Sequence, residues 1–140
     1  MNLVLIVSDT FRYDHIGANG NPWIRTPELD KFASEATVFD RCYSASFPTI
    51  PHRTDLVTGR YTFPYRGWGP LERDDIALCE VLGEAGFATQ LIADTMHLVQ
   101  HSTNFSRGFM GWYVSRGQEA DVPFTKFNYP VPEIVPPGKA

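Results

Sequence analysis

The chain has 140 residues, of which 43% are apolar and 20% charged, and a formal net charge of −4. This length suits one ordinary globular domain with a core of its own, and the composition excludes an intrinsically disordered chain. The acidic balance and the scattered lysines and arginines argue against a nucleic-acid partner, which needs a basic face, and leave no basic run to hold a membrane surface.

From the N-terminus, Leu3-Val4-Leu5-Ile6-Val7 is a continuous apolar run rich in β-branched residues. It predicts a strand buried on both faces, as in a parallel sheet. The run is too short for a signal peptide, and nothing in the chain reaches membrane-spanning length, so a cytoplasmic location is expected. Thr26-Pro27-Glu28 predicts a helix start, with Thr26 as cap, Pro27 in the first turn and Glu28 complementing the dipole. Leu29, Phe32, Ala33 and Ala36 follow as one apolar stripe. Residues 37–43 predict a second strand, and residues 51–58 a second helix stopped by Gly59. An aromatic, Gly- and Pro-rich loop over residues 62–73 leads to a third helix from Asp74 or Asp75. Its inner face would carry Ile76, Cys79 and Leu82, and Gly86 would end it. Residues 87–93 predict a third strand, and after Tyr113 the periodicity fades. A tail with Pro123, Pro130, Pro132, Pro136 and Pro137 is expected to be extended. Residues 1–121 are thus read as the α/β part and residues 122–140 as a Pro-rich tail or the start of a further segment. Cys42 and Cys79 are expected as buried free thiols, with a single disulfide left open. The order of elements predicts an α/β fold with a mainly parallel sheet flanked by helices.

Three places on this scaffold can carry chemistry. Asp9 lies at the predicted C-terminal end of the first strand, the edge where open α/β sheets bind ligands. It is read either as a ligand for a hard metal ion or as a turn residue. Thr49-Ile50-Pro51-His52-Arg53 places a hydroxyl at the predicted mouth of the second helix and a guanidinium four residues later. Helix amides at that mouth favour an anion, and the guanidinium can grip an oxyanion in a fork. Thr49 is therefore either a cap or a positioned nucleophile. His97, just past the third strand, is either an ordinary loop histidine or a third contributor to the same sheet edge.

The stretches running from Val4 to Tyr61 and from Glu80 to Val99 resemble the N-terminal region of sulfatases and of related phosphonate and phosphodiester hydrolases of the alkaline phosphatase superfamily. The likeness rests on a Cys-or-Ser, x, Pro, x, Arg signature followed by a Thr-Gly-Arg turn. Here it runs Thr49-Ile50-Pro51-His52-Arg53, then Thr58-Gly59-Arg60. The resemblance implies an alkaline-phosphatase-like fold, of which this chain would be only the N-terminal part. It implies a divalent metal ion (Ca, Mn or Zn), with Asp9, Thr10 and Thr49 among its ligands. Thr49 would be the nucleophile, and Arg53 and His97 would bind the anionic group of a small ester substrate. Three departures stand out. Threonine, a secondary alcohol, cannot become the formylglycine aldehyde of sulfatases, so Thr49 would attack directly. Asp9-Thr10 replaces a pair of aspartates, and Asp94-Thr95-Met96 replaces a region holding lysine. The family's later Asp-His-Gly ligands are not found, so the chain is expected to be part of a longer enzyme, to self-associate, or to meet a partner that supplies the remainder.

The function expected is metal-dependent hydrolysis of sulfate, phosphate or phosphonate esters. The alternative is a noncatalytic α/β binding or interaction module derived from the same family. A nucleotide-binding reading carries little weight, because no Gly-x-Gly-x-x-Gly follows the first apolar run.

Overall fold

The computed structural model describes residues 1–115. The chain forms two compact units, Met1–Gly69 and a second that begins at Pro70. The expected boundary at residue 121 and the Pro-rich tail lie outside the described residues. Together the units have an α/β composition: three α-helices, several short 3-10 turns and a parallel two-stranded sheet among the described residues.

In the first unit, helix α1 spans Pro27–Glu35, with proline in its first turn. Proline costs least there, because the amide it lacks would have no intrahelical partner. Thr26 does not cap this helix. Its hydroxyl donates to Asp30 Oδ1 at 2.8 Å and accepts the Gly17 amide at 2.8 Å, tying the helix to the preceding loop instead. Asp30 Oδ1 also accepts the Ala18 amide at 2.7 Å. The predicted apolar stripe stays in solvent, with Phe32 68% exposed. Helix α2 spans Thr49–Thr58, so Thr49 is its first residue and not a residue ahead of it. Gly59 stops the helix in the left-handed conformation, its amide returning to the Asp55 carbonyl at 2.8 Å.

Two expected strands are absent from this unit. Residues 3–7 run without pairing, their side chains exposed, and residues 37–43 are irregular. Strand conformation needs a neighbour to take its amides and carbonyls. Neither segment has one among the described residues, whatever its side chains prefer. Cys42 lies in the second of these segments and is exposed, contrary to the expectation of a buried thiol.

The second unit contains the sheet. Strands β1 (Gln90–Ala93) and β2 (Gly111–Val114) pair in parallel, with Gln90 opposite Gly111 and Ala93 opposite Val114. β2 falls where the sequence periodicity fades and was not expected. Parallel strands require a crossover, here residues 94–110 with the short turns Met96–Leu98 and His101–Thr103. Helix α3 spans Leu78–Glu84, several residues later than expected. Asp75, one of the expected starting residues, instead closes a turn by accepting the Glu72 amide at 2.8 Å. The helix begins only where the Glu80 carboxylate can reach back to the Ala77 amide, at 2.9 Å. Cys79 faces inward as expected, whereas Ile76 is exposed. Leu71, Ala77, Cys79, Ala93, Val99 and Phe105 form the core. Arg107 holds its rim by pairing with Glu80 at 2.8 Å and donating to the Glu72 and Asp75 carbonyls. No described helix is long and apolar enough to cross a membrane.

Candidate active site

The proline-rich approach to α2 decides where its first side chains sit. Pro48 takes the N-cap position, and Pro51, buried, lies within the first turn, where amides lack intrahelical partners in any case. Thr49 and Arg53 are four residues apart and so share one helical face. The loop after residues 3–7 brings Asp9 to that face.

The Thr49 hydroxyl donates to Asp9 Oδ2 at 3.1 Å, and Arg53 Nη2 donates to the same oxygen at 3.3 Å. One carboxylate oxygen thus receives both the alcohol and the cation. The Arg53 side chain is only 12% exposed, against 48% for Asp9. Its charge therefore acts in a less screened setting than a surface arginine would. Thr10 lines the same shallow hollow. Its backbone is left-handed, with φ at 55°, an outlying conformation for a β-branched residue. Such strain of about 1–3 kcal/mol is held only where the surroundings over-determine the backbone.

His97 belongs to the second unit, half-buried on the turn Met96–Leu98 that follows β1. The structure therefore brings together Asp9, Thr49 and Arg53, with Thr10 beside them, all within the first unit.

Two neighbours in this unit received no role from the sequence. His52 lines the hollow, and its Nδ1 lies 2.7 Å from Arg53 Nη1. The signal available was its place directly before the arginine. Asp55, one turn beyond Pro51, is buried and accepts the Thr62 amide at 2.9 Å and the Thr62 hydroxyl at 2.5 Å. Burial pushes its carboxyl pKa up. The Ser46 and Thr62 hydroxyls, the Thr62 amide and the nearby His52 outweigh that, and the net shift is downward. Asp55 thereby fastens the stretch after the Thr58-Gly59-Arg60 turn back onto α2.

A hard divalent cation takes six or more oxygens. Asp9, Thr10 and Thr49 offer one carboxylate and two hydroxyls, and the carboxylate already carries Arg53. No group of three or more His, Cys, Asp or Glu side chains suited to a metal occurs among the described residues. The residues present do not by themselves fit a complete divalent-metal site.

A hydroxyl, a carboxylate and a largely shielded guanidinium thus meet at the start of α2. The sulfatase family model matches residues 1–130. Arylsulfatase G of Rattus norvegicus is 32% identical over 92% of this chain and 27% of its own length. N-acetylgalactosamine-6-sulfatase of Mus musculus is 31% identical over 81% of this chain and 25% of its own. An arylsulfatase of Clostridium perfringens is 43% identical over a shorter stretch, 41% of this chain. No solved structure matches. The chain belongs to the sulfatase family, and it spans about a quarter of the length of these first two relatives.

Proposed function

We propose that this chain is the nucleophile-bearing part of a sulfatase-like hydrolase acting on sulfate esters, with phosphate and phosphonate esters as related substrates. The convergence of Thr49 Oγ1 and Arg53 Nη2 on Asp9 Oδ2 is the observation that carries this reading. Family membership supports the sulfate-ester class.

In the proposed reaction the Thr49 oxygen attacks the sulfur or phosphorus and passes its proton to Asp9. The bond to the ester oxygen breaks, and the leaving alcohol takes a proton from solvent. Arg53 holds the equatorial oxygens, where negative charge concentrates. Water then attacks the same sulfur or phosphorus and gives up a proton to solvent; the bond to the Thr49 oxygen breaks, and that oxygen recovers its proton from Asp9. A divalent ion (Ca, Mn or Zn) would draw only a minority of its oxygens from Asp9, Thr10 and Thr49. The remaining ligands would come from outside the described residues. Were those ligands supplied, such an ion would add Lewis-acid polarisation of the ester. His97 is proposed as a further contact for the substrate anion.

The test is turnover of an aryl sulfate and an aryl phosphate diester by the wild-type chain and by Thr49→Ala, with each metal supplied in turn. Thr49→Ala is expected to lose about 10³-fold or more, because removing a covalent nucleophile leaves only binding and electrostatic assistance. Equal rates for the two proteins would overturn the role of Thr49. No turnover of any ester by the wild type would overturn catalysis by this chain alone.

A further inference from the structure

Arg53 is the residue on which the proposed anion site most depends, and a long arginine side chain pays a large rotamer entropy to be held in one place. Asp9 alone is a weak tether, since its contact with Arg53 is 3.3 Å and its own side chain is half in solvent. The shorter contact runs from Arg53 Nη1 to His52 Nδ1, at 2.7 Å.

Consecutive residues on a helix point about 100° apart and do not ordinarily meet. The guanidinium must turn back toward the ring edge to reach it. Once there, its two terminal nitrogens are anchored separately, one on the ring and one on the carboxylate. Two anchors fix the plane of the fork, whereas one leaves it free to swivel. Of the five guanidinium N–H groups, two are committed in this way and three remain to meet an anion.

The direction of the hydrogen bond also follows. Arginine has no acceptor and keeps its charge, so Nδ1 of His52 must offer its lone pair. The imidazole is then neutral, with its proton on Nε2.

We infer that His52 is the positioning residue for Arg53: its unprotonated Nδ1 fixes the guanidinium plane so that the remaining N–H groups are preorganised for a tetrahedral oxyanion. His52 acts through Arg53 and does not itself have to touch the substrate. The inference rests on the reading of Arg53 as the anion-binding group, and the experiment separates the two.

Inorganic sulfate is titrated against the full chain by calorimetry, in wild type, Arg53→Ala, His52→Leu and His52→Asn. His52→Leu keeps bulk and removes the acceptor. His52→Asn restores an acceptor oxygen at nearly the same reach. The expected result is sulfate binding weakened about tenfold in His52→Leu, the effect of one lost hydrogen bond to a charged group, and returned to within about threefold of wild type in His52→Asn. Wild-type affinity in His52→Leu, or equal losses in Leu and Asn, would overturn the positioning role. Sulfate binding that survives Arg53→Ala would overturn the anion-site reading instead. A second measurement needs no variant. Long-range proton–nitrogen NMR of the wild type at about pH 8, where an ordinary histidine is neutral, is expected to show His52 protonated on Nε2 and bare on Nδ1. A proton on Nδ1 would end the proposal even if His52→Leu failed to fold.

Discussion

The two units of this molecule bury different things. In the first, the most buried residues are largely polar: Ser46, Thr54, Asp55 and Thr62, with Ile50 the apolar exception apart from Pro51. In the second, among the described residues, they are largely apolar: Leu71, Ala77, Cys79, Ala93, Val99 and Phe105, with Asp75 and Thr89 the polar exceptions. Apolar burial is strong but has no direction, so it tolerates small displacements of what it holds. Hydrogen bonds to a buried carboxylate have direction and are costly to break singly. Directional ties hold helices in both units, but in the first, where Asp9, Thr49 and Arg53 meet, they make up most of the buried support. The unit with the sheet and the oily core supplies bulk packing. Placing reactive groups to within a few tenths of an ångström calls for the first kind of support.

The sharpest way to break this comparison is in the second unit. Leu71 is 1% exposed, and both its backbone groups are tied: its amide donates to the Thr103 carbonyl at 3.0 Å, and its carbonyl accepts from the Asn104 side-chain Nδ2 at 2.9 Å. With the backbone pinned, the site cannot collapse around a smaller side chain. Leu71→Ala is expected to cost about 2–5 kcal/mol, read by urea denaturation. A loss under about 1 kcal/mol would show that apolar packing does not hold this unit.

The corresponding test in the first unit is Asp55→Asn, which keeps the shape and removes the charge. It is expected to cost about 1–3 kcal/mol at neutral pH, because the Thr62 donors lose a charged acceptor. The sign with pH follows from the lowered carboxyl pKa. A depressed folded-state pKa contributes stability that is fully present above the unfolded value of about 3.9, and lost as pH falls through the folded value. The gap between wild type and Asp55→Asn should therefore close as denaturation is repeated from neutral pH to below about pH 4. A gap that stayed constant would place the effect in packing and not in charge.

How much of this was legible beforehand divides along the same line. Several signals that act within a few residues carried through: Pro27 opening α1, Gly59 ending α2, and the four-residue spacing that puts Thr49 and Arg53 on one face; the Thr26 cap and the α3 start at Asp74 or Asp75 did not. Signals that depend on a distant partner did not. Leu3 to Val7 has the composition of a buried strand, yet it lacks a pairing neighbour among the described residues. Gln90–Ala93 is less uniformly apolar and forms a strand because Gly111–Val114 lies alongside. The meeting of Asp9, Thr49 and Arg53 was partly readable, since a helix mouth and a carboxylate just after an apolar run are local features. The use of Asp55 and His52 was not, because each works through a side-chain contact that no spacing rule encodes.

Gly59 offers the smallest effect and the cleanest separation of local from distant causes. Its φ is 67°, in the left-handed region, and a Cβ built there would meet nothing within 4 Å. Any cost of adding a side chain is therefore conformational and owes nothing to crowding. Gly59→Ala is expected to lose about 1 kcal/mol, the usual penalty for placing an L-residue in that region. Gly59→Asn should lose less, because asparagine visits the left-handed region more readily than alanine. Both are read by thermal or urea denaturation beside wild type. Were the two variants to cost equally, or either to cost more than about 3 kcal/mol, the glycine of the Thr58-Gly59-Arg60 turn would be serving a close contact. Its requirement would then belong with Asp55 and His52, among the features that become visible only when distant parts of the chain have come together.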